Sequence, residues 1–419
     1  MTSIKSLFEN FLSLSLLQIF SYVFPLFVYS YLVYVIGAEK FGLIFLIFSF
    51  IQYFIILCDY GFDLSATREI ALNRHNKNSL SNIFNSVILL KIIFVLLSFI
   101  VLLVLVLTID RFEKDKILFF TSFGMVIASA IFPVWFFQGM EKMKYISSLK
   151  IISQVLFFIS VFLFIKKDYD FIYVPALNSL CCLLSATAAL YFALKKFNIR
   201  FYIPKYTSLK KQFLYSSEFF LSKVSLSFCT NTNTFCLGLI SGDIIAGLYV
   251  SAEKIYIALK SLWMPVHNVF YPYVAKTQDV ALYKKVLKYG ILLNTIICFL
   301  VYKYAENIVL LFFGSAMQES AEILRIFSFI LFVTVPSIMI GYPLLGTRKE
   351  EETGYKIVNN SILIATLFHS FSLMILYIYS KLNIYSVSYL LLVTETLLLL
   401  YRLFYVLKLN ILRHNNSEG

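Results

Sequence analysis

The sequence predicts an all-α polytopic membrane protein, with about 12 transmembrane helices in two pseudo-symmetric six-helix bundles. Three observations lead there. Hydrophobic residues make up 60% of the 419 and charged residues only 14%, with a mean hydropathy of +0.82. That is more apolar surface than a soluble domain of this size needs. Apolar runs of about 20 residues, the length that crosses a bilayer, recur twelve times. The loops between them are short, so none can fold as a separate domain.

Taken in order, the spans fall roughly at 12–35, 41–62, 84–108, 117–138, 148–165, 171–194, 214–240, 245–275, 287–304, 321–345, 357–379 and 384–407. No small-residue cleavage site follows the first, which reads as a retained helix rather than a cleaved signal peptide. Pro25, Pro133, Pro265 and Pro336 fall inside spans, where proline is tolerated if neighbours satisfy the freed carbonyl. Placing the N-terminus in the cytoplasm puts 23 Lys and Arg on the inner side, Arg402 among them, and 8 on the outer side. That bias orients both termini inward. It also accounts for the net charge of +13 without nucleic acid as a partner. Ile308–Phe313 is apolar but too short to cross, and reads as an interfacial or re-entrant turn. The six cysteines lie in apolar spans without a C-x-x-C pair, so free thiols are expected.

The longest loop is basic, contains Pro204 and joins spans six and seven. It divides the chain into an N-terminal bundle (1–197), a cytoplasmic linker (198–213) and a C-terminal bundle (214–419). Shifted by 205 residues, Gly242, Gly247 and Leu248 fall on Gly37, Gly42 and Leu43. Six spans per half keep both halves in one membrane orientation, related by an axis along the membrane normal with a pathway between them. Spans one and seven would be equivalent and face that pathway.

Span seven is the least lipid-like. Ser216, Lys223, Ser227, Thr230 and Thr234 recur at helical spacing, Asn231 and Asn233 widen the polar face, and Glu218 adds a carboxylate. Ionisable groups at membrane depth usually face a bundle interior or a wet cavity. Two readings follow: interhelical hydrogen-bonding glue, or the lining of a hydrophilic pathway. Span eight carries Glu253, Lys254 and Lys260, and Glu253 and Lys260 share a face. Lys223 and Lys260 lie at similar depth and suit an anionic head group; the alternative is an internal ion pair, such as Lys260 or Lys254 with Glu218. The pattern DYGFDLSATREIALNRHNK (Asp59–Lys77) puts Asp59 and Asp63 one turn apart on one face, with Arg68 and Glu69 at the membrane surface. Lys91 and Arg325 read as snorkelling side chains near span ends. Glu218, Glu253 and Asp59 are the carboxylates placed to titrate in a transport cycle.

Energy-coupling and enzyme signatures are missing. GYPLLGTR (Gly341–Arg348) lacks the Lys-Ser/Thr of a phosphate loop, and there is no H-E-x-x-H. The four histidines are too scattered for a metal site. No cofactor, metal or catalytic residue is expected.

Asp59–Lys77, GAEKFGLIFLIFSFIQYF (Gly37–Phe54), FPVWFFQGMEKMKYIS (Phe132–Ser147) and LRIFSFILFVTVPSIMIGYPLLGTRKEEE (Leu324–Glu352) together resemble the polysaccharide transporter family. More narrowly they resemble O-antigen flippases of the Wzx type. These belong to the MOP superfamily, with MATE drug exporters and lipid II flippases. The resemblance implies two six-helix bundles of MATE-like fold and alternating access to a central cationic cavity, in the bacterial inner membrane. The implied substrate is an undecaprenyl-pyrophosphate-linked O-antigen repeat unit, moved from the cytoplasmic to the periplasmic leaflet. Membrane lipid, an O-antigen polymerase and a chain-length regulator are the implied partners. Arg68 and Asp59 come from the matched motif. Lys223, Lys254, Lys260 and Arg325 complete the candidate cationic site, and Ser216, Ser227, Thr230, Asn231 and Thr234 its polar lining. The alternatives are a cation-coupled MATE-type small-molecule exporter and an O-antigen polymerase. A carboxylate-dominated cavity would favour the exporter, and a large outer loop would favour the polymerase.

Overall fold

A computed structural model describes the backbone of residues 4–266, 280–341 and 351–409. Within these it describes all side chains except 4–19, 218, 221–223, 225–230, 280–282, 351–353 and 355. The described residues form helices and no strand. Nine described stretches are long and apolar enough to cross a membrane, and the first, Phe20–Leu72, takes in the second expected span and most of the first. The chain is therefore an all-α multi-pass membrane protein.

The helices follow the expected spans, and their breaks have local causes. The helix α1 (Ile4–Asp59) leaves helical geometry at Gly37 (φ 80°, ψ 170°), between the first two spans. After α2 (Phe62–Leu72), α3 (Lys77–Thr108) crosses unbroken. A short α4 (Asp110–Glu113) leads into the fourth span, which runs in three pieces: α5 (Lys116–Ser122), α6 (Gly124–Ile131) and α7 (Val134–Gly139). Phe132 is extended ahead of Pro133 (ψ 110°), because the proline ring disfavours helical geometry in the residue before it. Two long helices follow, α8 (Met143–Phe164) and α9 (Tyr173–Lys196), and then α10 (Tyr206–Ile240).

Gly242 opens α11 (Asp243–Ser261) at φ 99° and ψ 166°. This is the conformation of Gly37, 205 residues earlier. The region is essentially reserved for glycine. An added Cβ would meet nothing within 4 Å at either position, so backbone conformation rather than crowding requires the glycine. The two helix breaks give the weak sequence repeat a geometric counterpart. Beyond them lie α12 (Val280–Lys303), α13 (Ala305–Phe313), α14 (Ser320–Ile340), α15 (Glu351–Ile378) and α16 (Ile384–Lys408). The expected turn at Ile308–Phe313 is part of the nine-residue α13, which buries Ala305, Val309 and Phe313 and exposes Leu310 and Leu311.

The chain packs as two compact units. One is continuous, Val35–Phe235; the other is discontinuous, Met1–Tyr34 with Cys236–Gly419. These differ from the halves expected on either side of the linker: residues 1–34 group with the C-terminal portion, and 214–235 with the first. The contacts of α10 explain its place. Ser216 bonds to Ser65 at 2.7 Å, Thr232 to Tyr53 at 2.8 Å, and Phe235 stacks on Phe50.

In the continuous unit one core gathers Phe62, Phe84, Trp135, Phe136 and Phe137 against Ala186, Ala189 and Ala193 of α9. A second gathers Phe50, Phe112, Phe119 and Phe123. Small residues let helices approach closely, as in other membrane bundles: a Cβ on Gly124 would come within 2.7 Å of Ser179. In the discontinuous unit α14 is the central helix, burying Ile323, Leu324, Phe327, Leu331 and Val335. Tyr249 and Tyr256 of α11 lie against its Phe327 ring.

Candidate functional site

The strongest motif, Asp59–Lys77, contains a helix break. Tyr60 and Gly61 both take positive φ (37° and 77°) between α1 and α2. Asp59 therefore ends one helix and Asp63 begins the next, which corrects the expectation that they share a helical face. Two contacts hold the break. The Tyr60 ring stacks on Phe94, Phe213 and Phe220 at centroid distances of 4.7–4.9 Å. Gly61 lies against the α10 backbone, where an added Cβ would sit 2.8 Å from the Ser216 carbonyl oxygen. Glycine is required here by both its conformation and its surroundings.

Just before the break, Lys91 Nζ donates to Asp59 Oδ1 at 2.8 Å and to the Ser129 carbonyl at 3.4 Å. Ser129 Oγ donates to the same carboxylate oxygen at 3.4 Å. The Lys91 side chain is only 1% exposed. It is therefore buried and ion-paired, which corrects its reading as a snorkelling cation. Arg68 is exposed and donates to the Tyr215 hydroxyl at 3.3 Å. Beside it Lys211 approaches Glu69 at 3.9 Å, so α2 and α10 are clasped at the end of the span.

On α10, Ser216 is fully buried and bonded to Ser65. Thr234 is buried and Asn231 half-buried. Glu218, Lys223, Ser227 and Thr230 lie outside the residues whose side chains are described. Where the polar face is described, Ser216 and Thr232 act as interhelical glue.

The discontinuous unit holds its charges differently. On α11, Lys254 Nζ is 4.0 Å from the Glu253 carboxylate, both partly exposed. Nearly two turns later Lys260 lies over the Tyr256 ring, 5.5 Å from its centroid. Glu253 and Glu395 act on it electrostatically. Tyr256 donates its hydroxyl to Thr334 of α14 at 3.2 Å. Lys260 is thus held by the Tyr256 ring and hydroxyl and, electrostatically, by two carboxylates; an ammonium carries three donors, so it can still donate to an incoming anion. Glu395, a carboxylate within the apolar span α16, was missed in the sequence. Its position alone marks it as an intramembrane ionisable group.

Arg325 bonds to Glu306 at 2.6 Å and also to Glu322. Those two carboxylates line a cavity of about 480 Å³, together with Ile244, Leu248, Gln318 and Glu319. Arg402 was counted with the cytoplasmic loop charges but is 6% exposed inside the helix. It donates to the Ser337 carbonyl at 2.7 Å and to the Ser361 hydroxyl at 3.1 Å, tying α14, α15 and α16 together. The reason is its place two turns before the end of α16, where the side chain meets neighbouring helices before it can reach water.

Residues 7–278 match the family described as "Polysaccharide biosynthesis protein". A protein of Escherichia coli (strain K12) named "Putative O-antigen transporter" is 26% identical over 367 residues, spanning 85% of this chain and 88% of its own. A Shigella dysenteriae protein of the same name is 23% identical, covering 68% and 71%. Among solved structures, the lipid II flippase MurJ in an inward closed conformation superposes with a TM-score of 0.74 at 15% identity, covering 96% of this chain and 89% of that one. An inward-facing MATE family multidrug resistance transporter of the MOP superfamily gives 0.67 at 15% identity, covering 97% and 96%. The chain shares the fold of these two transporters.

Proposed function

The chain belongs to the polysaccharide biosynthesis protein family, and on that basis we propose that it is a flippase for lipid-linked O-antigen repeat units. The cargo is an undecaprenyl-pyrophosphate-linked oligosaccharide, carried from the cytoplasmic to the periplasmic leaflet of the bacterial inner membrane by alternating access. There a polymerase and a chain-length regulator would receive it. Both termini lie in the cytoplasm.

The observation that carries this reading is Lys260, a cation at membrane depth held loosely enough to exchange partners. A diphosphate is a compact, doubly charged oxyanion, and a lysine ammonium meets it as a mobile point charge. Lys254 on the same helix adds to the cationic character of the site, and Lys223, in the apolar seventh span, is a second candidate cation for the phosphates. Arg68, exposed at the end of the second span, suits the first encounter with the head group. Arg325 is engaged by two carboxylates and has no place in this site. Ser227, Thr230, Asn231 and Thr234 offer hydroxyls and an amide to sugar. Glu253 is the carboxylate best placed to link proton or cation movement to Lys260, with Glu218 a second candidate. Asp59 is neutralised by Lys91, which weighs against a carboxylate-driven exporter in the continuous unit. The short outer loops weigh against a polymerase.

The test is complementation of a flippase-deficient strain with the cognate repeat unit, at matched membrane expression. Wild type should restore O-antigen, and Lys260→Ala and Lys223→Ala should each restore roughly a tenth as much. Full rescue by all three would remove the lysine site and keep the flippase. Failure of the wild type would turn the reading towards a small-molecule exporter.

A further inference from the structure

The connection between α9 and α10 was expected to be a plain linker, but it is a fixed strap. The Asn85 side-chain amide donates to the Arg200 carbonyl at 2.8 Å, and the Arg200 backbone N–H donates to the Ser81 hydroxyl at 3.2 Å. Asn82 donates to Ser208 at 3.2 Å and accepts from the Tyr202 hydroxyl at 3.4 Å. All three anchoring residues lie in the first turns of α3. Ile199 is buried in the neighbouring core, and Leu209 packs against it. Pro204 is also buried.

The other side of the strap faces outward. Phe201 is 69% exposed, Ile203 86% and Tyr206 75%. A loop in water would not hold three such side chains in the open by means of a hydrogen-bonded backbone. The strap's depth supplies the reason. Its anchors, Ser81 to Asn85, lie at the start of the third span. The first strongly exposed apolar pair on that helix, Ile92 and Ile93, comes seven residues later, about 10 Å along the axis. The strap therefore runs at the level of the lipid head groups. Around it stand six exposed cations, Lys195, Lys196, Arg200, Lys205, Lys210 and Lys211. There is no Asp or Glu anywhere from 195 to 217.

We propose that this strap is an interfacial anchor that binds anionic phospholipid head groups. Phe201, Ile203 and Tyr206 enter the boundary between head groups and acyl chains, and the flanking cations hold the phosphates. Apolar side chains on one face with Lys and Arg beside them are what an interfacial segment requires, and basic residues next to a span attract anionic lipid. The inference is separate from the transport reading, since a lipid-binding strap can be present or absent whether or not the chain flips oligosaccharide.

The test places a tryptophan on the strap, Phe201→Trp, in the full-length protein in nanodiscs. The wild-type signal from Trp135 and Trp263 is subtracted. Discs contain about 30 mol% of brominated phosphatidylglycerol or of brominated phosphatidylcholine, and quenching should be roughly threefold stronger with the anionic lipid. Changing Lys195, Lys196, Arg200 and Lys205 together to Gln should bring the two lipids level while both still quench. Ile203→Trp repeats the reading at a second exposed position. Equal quenching by the two lipids with the cations intact would overturn the head-group site. Water-like emission that neither lipid quenches would overturn the anchor altogether and leave the face to a protein partner.

Discussion

Each unit buries a basic residue in its helical interior, and among the described residues the discontinuous unit also holds a cation stabilised at longer range, Lys260. In the continuous unit Lys91 is 1% exposed and 2.8 Å from Asp59. In the discontinuous unit Arg402 is comparably sealed, by Ser337 and Ser361, while Lys260 rests over a tyrosine ring at 5.5 Å. A cation saturated by short bonds fixes helices to one another, and an anion gains little by approaching it. A cation stabilised at longer range keeps donors for a visitor. Burial alone therefore does not mark a transport site; the lengths of the bonds already made separate the two roles.

That contrast can be broken most decisively at Lys91. Lys91→Met leaves Asp59 charged and alone, and should cost about 3–5 kcal/mol in thermal unfolding of the purified protein. The double variant Lys91→Met/Asp59→Asn should recover most of that loss. If instead the single variant folds normally and only transport fails, Lys91 belongs to the binding machinery. Next in size, Lys260→Ala should lower O-antigen export by roughly tenfold, the worth of one charge-assisted hydrogen bond. Its unfolding temperature should hardly change. A large loss of stability there would make the two units alike and end the distinction. Gly37→Ala and Gly242→Ala probe what the units share. Each forces a side chain into a glycine-only conformation, at about 1–3 kcal/mol, and similar losses at both positions are expected if the units are repeats. The smallest effect belongs to Arg325→Ala. Its half-exposed ion pairs are worth about 1 kcal/mol or less, and export should stay near wild type.

Much of the fold was legible in the sequence, because lipid imposes a simple rule on it. Apolar runs of the right length became helices, and glycines 205 residues apart became matching breaks. The site was less legible, for reasons of geometry. Asp59 and Lys91 are 32 residues apart, and the turn at Tyr60 and Gly61 that brings them together left no clearer mark than one glycine after an aromatic. Arg402 lay near a span end, and only three-dimensional packing shows that it points into helices rather than water. Glu395 could have been found, since a carboxylate between Val393 and Leu397 stands out in an apolar run. The division into units could not, because it depends on which bonds α10 makes along its length.

That division bears on what happens when the gene is cut in two. Separating the coding sequence within 198–213 would give two polypeptides, neither of which contains a whole unit. The first would carry residues 1–34, which pack with 236–419, and the second would carry 214–235, which pack with 35–197. Produced apart, each fragment is missing a helix that its own unit needs. Produced together in one cell, they exchange those helices and rebuild the transporter, so only co-expression should yield stable protein.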